Sequence, residues 1–205
     1  MPTIPGVPLS AECAMRYPSA WVRRFLPLVK KGGHVLDLAC GAGRHTAWML
    51  MRGFRVTAAD IDLTEMEGLR GAPGLTLEAH DLEGAPWPWG EAVFDGVVVT
   101  NYLYRPHYPA YWRSLTPGGI FIQETFSDAN ALLWGRPRNA VHRLTPGELI
   151  RLAPEGARII AFEEGIDRRG FGIERIVWAK PGANVGEGDG ARRLCEPETH
   201  FFNEG

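Results

Sequence analysis

An α/β fold, a doubly wound seven-stranded sheet that is mostly parallel and ends in an antiparallel hairpin, is predicted by three features of the chain. Seven short apolar runs recur between turns rich in glycine and proline. Helical patterns stand between most of the first five runs, as alternating βα units require. The run His34-Val35-Leu36-Asp37-Leu38 passes directly into Ala39-Cys40-Gly41-Ala42-Gly43-Arg44-His45, a buried strand that meets a glycine turn and then a helix. The third feature is the most specific, because open α/β sheets bind ligands where such a turn leaves the carboxyl end of a strand.

Residues 1–30 read as an N-terminal arm and a helix. Positions 1–12 are proline-rich, and Trp21, Val22, Phe25 and Leu26 recur at helical spacing, with Pro27 set to kink or shorten the helix. The first strand, His34–Leu38, leads into a helix over Arg44–Arg52 that ends near Gly53. The second strand, Phe54–Asp60, is apolar until its acidic end. A short helix over Leu63–Leu69 precedes the turn Gly71-Ala72-Pro73-Gly74, and the third strand, Leu75–His80, ends at Asp81. Two prolines exclude regular helix from Pro86-Trp87-Pro88-Trp89-Gly90, where the tryptophans read as anchors of a loop. The fourth strand, Phe94–Thr100, carries the two-sided apolar run Val97-Val98-Val99. A helix over Pro109–Leu115 stops at Thr116-Pro117-Gly118-Gly119, before the fifth strand, Ile120–Thr125. Phe126–Arg143 reads as an irregular insertion. Thr145-Pro146-Gly147-Glu148 is a capping box with proline at the first helical position and Leu144 and Leu149 as its staple. Arg158–Glu163 and Phe171–Ala179 form the hairpin at the sheet edge. The domain is expected over residues 31–180. Residues 181–205, rich in glycine and polar residues with little to bury, are expected to be a disordered tail.

Composition narrows the function. The chain has 205 residues, 45% hydrophobic and 22% charged, which suits one soluble domain with a sizeable core. A net charge of −2 lacks the basic footprint of nucleic-acid binding. Arg136, Arg138, Arg143 and Arg151 read as a solvated face. No apolar stretch is long enough to span a membrane, and the N-terminus lacks a signal-peptide pattern. Cys13, Cys40 and Cys195 are scattered and odd in number, which predicts a reducing compartment, the cytoplasm. Neither paired histidines nor a CxxC occurs, so no metal site is expected. Cys40 reads as a packed thiol and not a nucleophile. Thr46 stands where a dinucleotide fingerprint requires Gly or Ala, and Asp37 favours a cationic ligand over a pyrophosphate, so a nicotinamide oxidoreductase is disfavoured.

The order of elements, with Asp37-Leu38-Ala39-Cys40-Gly41-Ala42-Gly43, Asp60, Asp81, Phe94–Val99 and Leu115-Thr116-Pro117-Gly118-Gly119-Ile120, resembles the class I S-adenosylmethionine-dependent methyltransferases over roughly residues 30–180. The resemblance implies a Rossmann-like sheet and S-adenosyl-L-methionine as cofactor. Asp37, Ala39, Gly41 and Gly43 would then hold its methionyl part. Asp60, 17 residues after Gly43 and followed by Ile61, would hold the ribose hydroxyls, with Asp62 competing for that role. Asp81 and Leu82 would meet the adenine, and Thr100 and Asn101 at the end of the fourth strand complete the set. The short chain and Gly41-Ala42-Gly43-Arg44-His45 resemble the small-molecule branch, which includes the tellurite-resistance type.

The reaction leaves fewer marks. Methyl transfer from a sulfonium is an in-line displacement driven largely by orientation, and a base is needed only where the acceptor holds a proton. No catalytic residue is assigned; the candidates are Tyr104, His107 and Glu124, with Asn101, Tyr102, Arg105 and His142 nearby. Asn101-Tyr102-Leu103-Tyr104 departs from the Asn-Pro-Pro-Tyr motif of enzymes that methylate planar amino groups. The acceptor is expected to be a small molecule, since no additional domain interrupts the fold. An RNA or protein methyltransferase and a non-catalytic S-adenosylmethionine-binding partner are the alternatives. Residues 101–108 and 126–143 are expected to line the acceptor side, with Trp134 closing over the cofactor and Arg105, Arg136 or Arg138 holding an anionic acceptor.

Overall fold

The computed structural model describes residues 17–182. Seven strands form one sheet: β1 (His34–Leu38), β2 (Arg55–Asp60), β3 (Leu75–Ala79), β4 (Phe94–Thr100), β5 (Leu115–Phe126), β6 (Arg158–Ile166) and β7 (Gly172–Ala179). Their order is β3-β2-β1-β4-β5-β7-β6. The first five run parallel, and β7 is antiparallel to both β5 and β6. The chain winds outward from β1 through β2 to β3 and then returns to start again at β4. The reversal of strand order therefore falls between β1 and β4, the position at whose carboxyl ends open α/β sheets bind ligands.

Two apolar layers cover the sheet. On one face Val35, Val56, Val98, Ile120, Ile122 and Val177 pack against α1 (Ala20–Phe25) and α2 (Arg44–Met51). On the other, Leu36, Leu38, Val97, Val99, Phe121 and Trp178 meet α3 (Tyr108–Ser114) and α5 (Glu148–Leu152). Alternate residues of each strand serve opposite layers, the reason these strands are apolar on both sides. Trp87 and Trp89 anchor the proline loop as expected, their indole N–H groups reaching Ser114 Oγ and Glu78 Oε2, each at 2.9 Å.

Several expected boundaries shift. The N-terminal helix is one α-helical stretch to Phe25 and then a 3-10 turn over Leu26–Leu28, which contains Pro27. Residues 64–69 are 3-10 helix. β5 begins at Leu115, five residues before the expected start, because Leu115 pairs with Phe94 before the register shifts and pairing resumes at Gly96–Ile120. The box at Thr145 is half formed. Glu148 Oε2 reaches back to the Thr145 N–H (2.9 Å) and hydroxyl (2.8 Å), but α5 starts only after Gly147, whose φ is 66°.

The insertion is not irregular throughout. It contains α4 (Asp128–Trp134), ended by Gly135 at φ 64°, and a 3-10 turn over Ala140–His142. Asn130 is the one buried residue of α4. Its side chain donates to the Arg136 carbonyl (2.7 Å) and accepts from the Gly172 N–H (3.1 Å). Arg143 holds Asp128 (2.6 Å) and the carbonyls of Pro137 (3.1 Å) and Arg138 (3.2 Å). The expected arm over residues 1–12 and the tail from 183 onward, with Cys13 and Cys195, lie outside the described residues. Among the described residues no helix is long and apolar enough to cross a membrane.

Candidate functional site

The backbone at the strand reversal is strained on both sides. Ala39, which leaves β1, has φ 53°, and Asn101, which leaves the adjacent β4, has φ 55°. A left-handed conformation costs a non-glycine residue roughly 1–2 kcal/mol, and such strain concentrates where a ligand is held. The turn between them is shaped by two glycines with different duties. A Cβ on Gly43 would lie 2.3 Å from Met66 Sδ, so any side chain there would have to displace the buried Met66. A Cβ on Gly41 would meet nothing within 4 Å, so this residue borders open space where a ligand can approach the backbone.

Three acids follow along successive strand ends. Asp37 lies buried beneath the turn, and its Oδ2 accepts from the Thr46 hydroxyl at 2.5 Å. Burial pushes its carboxyl up from 3.8 to about 7, against the Thr46 hydrogen bonds and the Arg44 charge. The carboxyl group thus lies below the turn, held by Thr46. Thr46, which looked like a mere departure from a dinucleotide motif, is its partner. Asp60 closes β2. Its Oδ2 accepts from the Gly41 N–H at 2.8 Å, which ties the second strand end to the turn. Asp62 is exposed and occupied, its Oδ1 accepting from the Thr64 hydroxyl (2.6 Å) and N–H (2.8 Å), which lowers its pKa. Of the two competitors, Asp60 therefore faces the glycine turn. Ile61 beside it is 69% exposed, an apolar surface at the rim. Asp81, after β3, accepts from the N–H groups of Gly84 (2.8 Å) and Glu83 (3.1 Å), and these bonds lower its pKa.

Leu82 is buried, and its carbonyl accepts from His107 Nε2. Thr100 ends β4, and its Oγ1 lies 3.4 Å from His45 Nδ1. Asn101 is exposed, and its N–H donates to the Glu124 carbonyl at 2.9 Å.

The acid–base candidates are tied to the protein. His107 packs against Trp87 and Tyr104, and burial lowers its pKa. Glu124 is buried with Arg175 at 2.7 Å and Arg169 at 3.9 Å, on the same face of β5 as Ile120 and Ile122. Tyr104 donates its hydroxyl to the Glu83 carbonyl at 3.3 Å. Arg105 grips Glu148 at 2.5 Å and the carbonyls of Val141 (2.7 Å) and Arg143 (3.0 Å), so it fastens the insertion and does not stand ready for an anion. Trp134 donates to the Gly170 carbonyl at 2.7 Å and packs on Phe171, which sets it over the β6–β7 turn and not over the glycine turn. Cys40 is buried, and burial together with the charges of Asp37 and Asp60 pushes its thiol pKa far up, so it is a packed, unreactive thiol. His45 and Arg175 were missed because each acts on a partner far away in sequence, while Thr46 was noticed but not joined to Asp37, nine positions before it. The one available signal was the polar character of positions 45 and 46 on the buried side of a helix.

Residues 35–119 match the family model described as a methyltransferase domain. A comparison with curated proteins finds no match. Among solved structures, the fold is shared with the 1,6-didemethyltoxoflavin-N1-methyltransferase of Burkholderia thailandensis, which was crystallised with 1,6-didemethyltoxoflavin and S-adenosylhomocysteine bound. The two are 23% identical, with 79% of this chain and 76% of that one covered and a TM-score of 0.58. An S-adenosylmethionine-dependent methyltransferase from Mesorhizobium loti is 18% identical, with 79% and 98% covered and a TM-score of 0.62. The N-methyltransferase NodS of Bradyrhizobium japonicum is 19% identical, with 78% and 93% covered and a TM-score of 0.59. Residues 35–119 are thus similar to a methyltransferase domain, and the fold is the one that these methyltransferase structures share.

Proposed function

We propose that this chain transfers the methyl group of S-adenosylmethionine to a small-molecule acceptor, with residues 31–180 as the catalytic domain. The observation that carries the reading is the row of Gly41, Asp60 and Asp81 at three neighbouring strand ends, with open space above Gly41 and the exposed Ile61 between the acids. In this reading Asp81 and Leu82 meet the adenine and Ile61 covers its face. Asp60 holds the ribose hydroxyls. Ala39, Gly41 and Gly43 shape the turn around the methionyl part, with Thr100 and Asn101 opposite. Asp37, which burial keeps protonated up to about pH 7, adds a negative potential from beneath once it ionises, favourable to a cation. When bound, S-adenosylmethionine supplies an electrophilic methyl group on a sulfonium. The chain's own contribution is orientation, since Glu124, His107 and Tyr104 all hold protein partners, Tyr104 by the longest bond, to the Glu83 carbonyl at 3.3 Å. An acceptor atom with a lone pair available at working pH needs no base.

A small acceptor is supported by the short insertion after β5, by the net charge of −2, and by the small molecule bound to the Burkholderia enzyme. The test pairs calorimetry with transfer assays. S-adenosylhomocysteine should bind saturably and NAD should not. Methyl-labelled cofactor should deliver label to members of a small-acceptor panel, with none to bulk RNA or protein. Absence of heat with S-adenosylhomocysteine, for protein stripped of carried-over nucleoside, removes the reading. Label in RNA or protein favours that alternative, and binding without any transfer favours a non-catalytic partner.

A further inference from the structure

We infer that His45 is a positioning residue: it fixes the Thr100 hydroxyl as a hydrogen-bond donor to the carboxylate at the amino-acid end of S-adenosylmethionine. The inference rests on the cofactor reading above and adds to it a second-tier contact and a named group on the ligand.

The argument is one of proton placement. Ser19 uses its hydroxyl to cap α1, accepting from the Trp21 N–H at 3.1 Å, and its carbonyl accepts from the Arg23 N–H at 2.9 Å. Its own N–H is directed at His45 Nε2, 3.1 Å away. A backbone amide only donates, so Nε2 must carry a lone pair. The ring is buried, and burial together with the Arg44 charge holds its pKa near 3, so it is neutral and its one proton sits on Nδ1. Nδ1 is the atom 3.4 Å from Thr100 Oγ1. The threonine oxygen therefore accepts from His45, and its own proton is left to be donated elsewhere. Among the described residues no acceptor takes it.

Thr100 stands at the end of β4, next to the strained Asn101 and across the strand reversal from Ala39. Asp60 and Asp81 lie one and two strands beyond β1 in the opposite direction, so the ligand's amino-acid end is the part that reaches Thr100. A hydroxyl whose proton is available can donate it to a carboxylate, which only accepts, whereas an ammonium has no lone pair to receive it. His45 is held by α1 on one side and by α2 on the other, so the hydroxyl is oriented before the ligand arrives.

The test uses S-adenosylhomocysteine and its decarboxylated analogue, which keeps the ammonium, the thioether and the nucleoside. Wild-type protein should bind the first about tenfold or more tightly than the second, the range of one hydrogen bond to a charged group. In Thr100→Val and in His45→Phe that preference should collapse through loss of affinity for S-adenosylhomocysteine alone, while Thr100→Ser keeps it. Parallel weakening of both ligands would mark a structural role only, and an undiminished preference in Thr100→Val would equally overturn the inference. Should His45→Phe fail to fold, the threonine pair decides. Wild-type protein that binds neither ligand refutes the cofactor reading itself and this inference with it.

Discussion

Replacing Asp37 with asparagine should invert the usual effect of losing a buried acid, and the sign follows from where the carboxyl titrates. In the fold it stays protonated up to about pH 7, whereas its ordinary value is 3.8. Below pH 3.8 both folded and unfolded chains hold the proton, and the contribution to stability is fully present. As pH rises, the unfolded chain ionises first, so stability is lost until the folded carboxyl ionises as well. The interval corresponds to about 4 kcal/mol at about 1.4 kcal/mol per pH unit. Asparagine keeps the shape and can still accept from the Thr46 hydroxyl, but it does not titrate. The unfolding free energy of Asp37→Asn relative to wild type should therefore climb by about 4 kcal/mol between about pH 4 and about pH 8. Urea unfolding followed by tryptophan fluorescence across that range reads the difference directly. The offset at any single pH depends on how the new amide is satisfied, and only the slope is diagnostic. A flat difference from acid to alkaline pH would refute the claim that burial keeps Asp37 protonated.

The other substitutions separate ligand contacts from packing. Asp60→Ala should weaken S-adenosylhomocysteine binding at least about tenfold by calorimetry, while Asp62→Ala, whose carboxylate already caps Thr64, should leave it within about twofold. The reverse result would give the ribose role to Asp62. Gly43→Ala should destabilise the fold by roughly 1–3 kcal/mol, since its Cβ collides with Met66. Gly41→Ala should cost only the left-handed backbone penalty of roughly 1–2 kcal/mol in thermal unfolding but reduce cofactor affinity more than any other single methyl group.

The strands and the glycine turn were legible because their causes are local. Val97-Val98-Val99 is apolar on both sides since it lies between two layers, and a left-handed backbone favours glycine at Gly43. Helix α4 was hidden for an equally physical reason. It buries only Asn130, so it has no apolar stripe to read, and Leu132, Leu133 and Trp134 look outward. Its stop at Gly135 and the Ser127-Asp128 start were the visible signs, obscured by the prolines that follow. In the site, Asp60 and Asp81 were legible as strand-end acids. The relations that assign function to side chains were not, because His45 meets Ser19 26 positions away and Glu124 meets Arg175 across a strand pair formed only in the fold. His107, a candidate base by sequence, also holds the Leu82 carbonyl and packs on Trp87 and Tyr104, contacts that no local pattern announces.

The insertion after β5 is fastened in an unusual way for a segment so exposed: Asn130, Arg143 and Arg105 grip main-chain carbonyls at Arg136, Pro137, Arg138, Val141 and Arg143. Every residue type presents a carbonyl, so these anchors read the path of the chain and are indifferent to the side chains strung along it. Arg138, Ala140, Val141 and His142 can be exchanged while the three gripping residues keep the loop in place. Substitution along the loop can therefore change its exposed surface without disturbing the sheet beneath it, and a library randomised at those four positions should remain folded throughout.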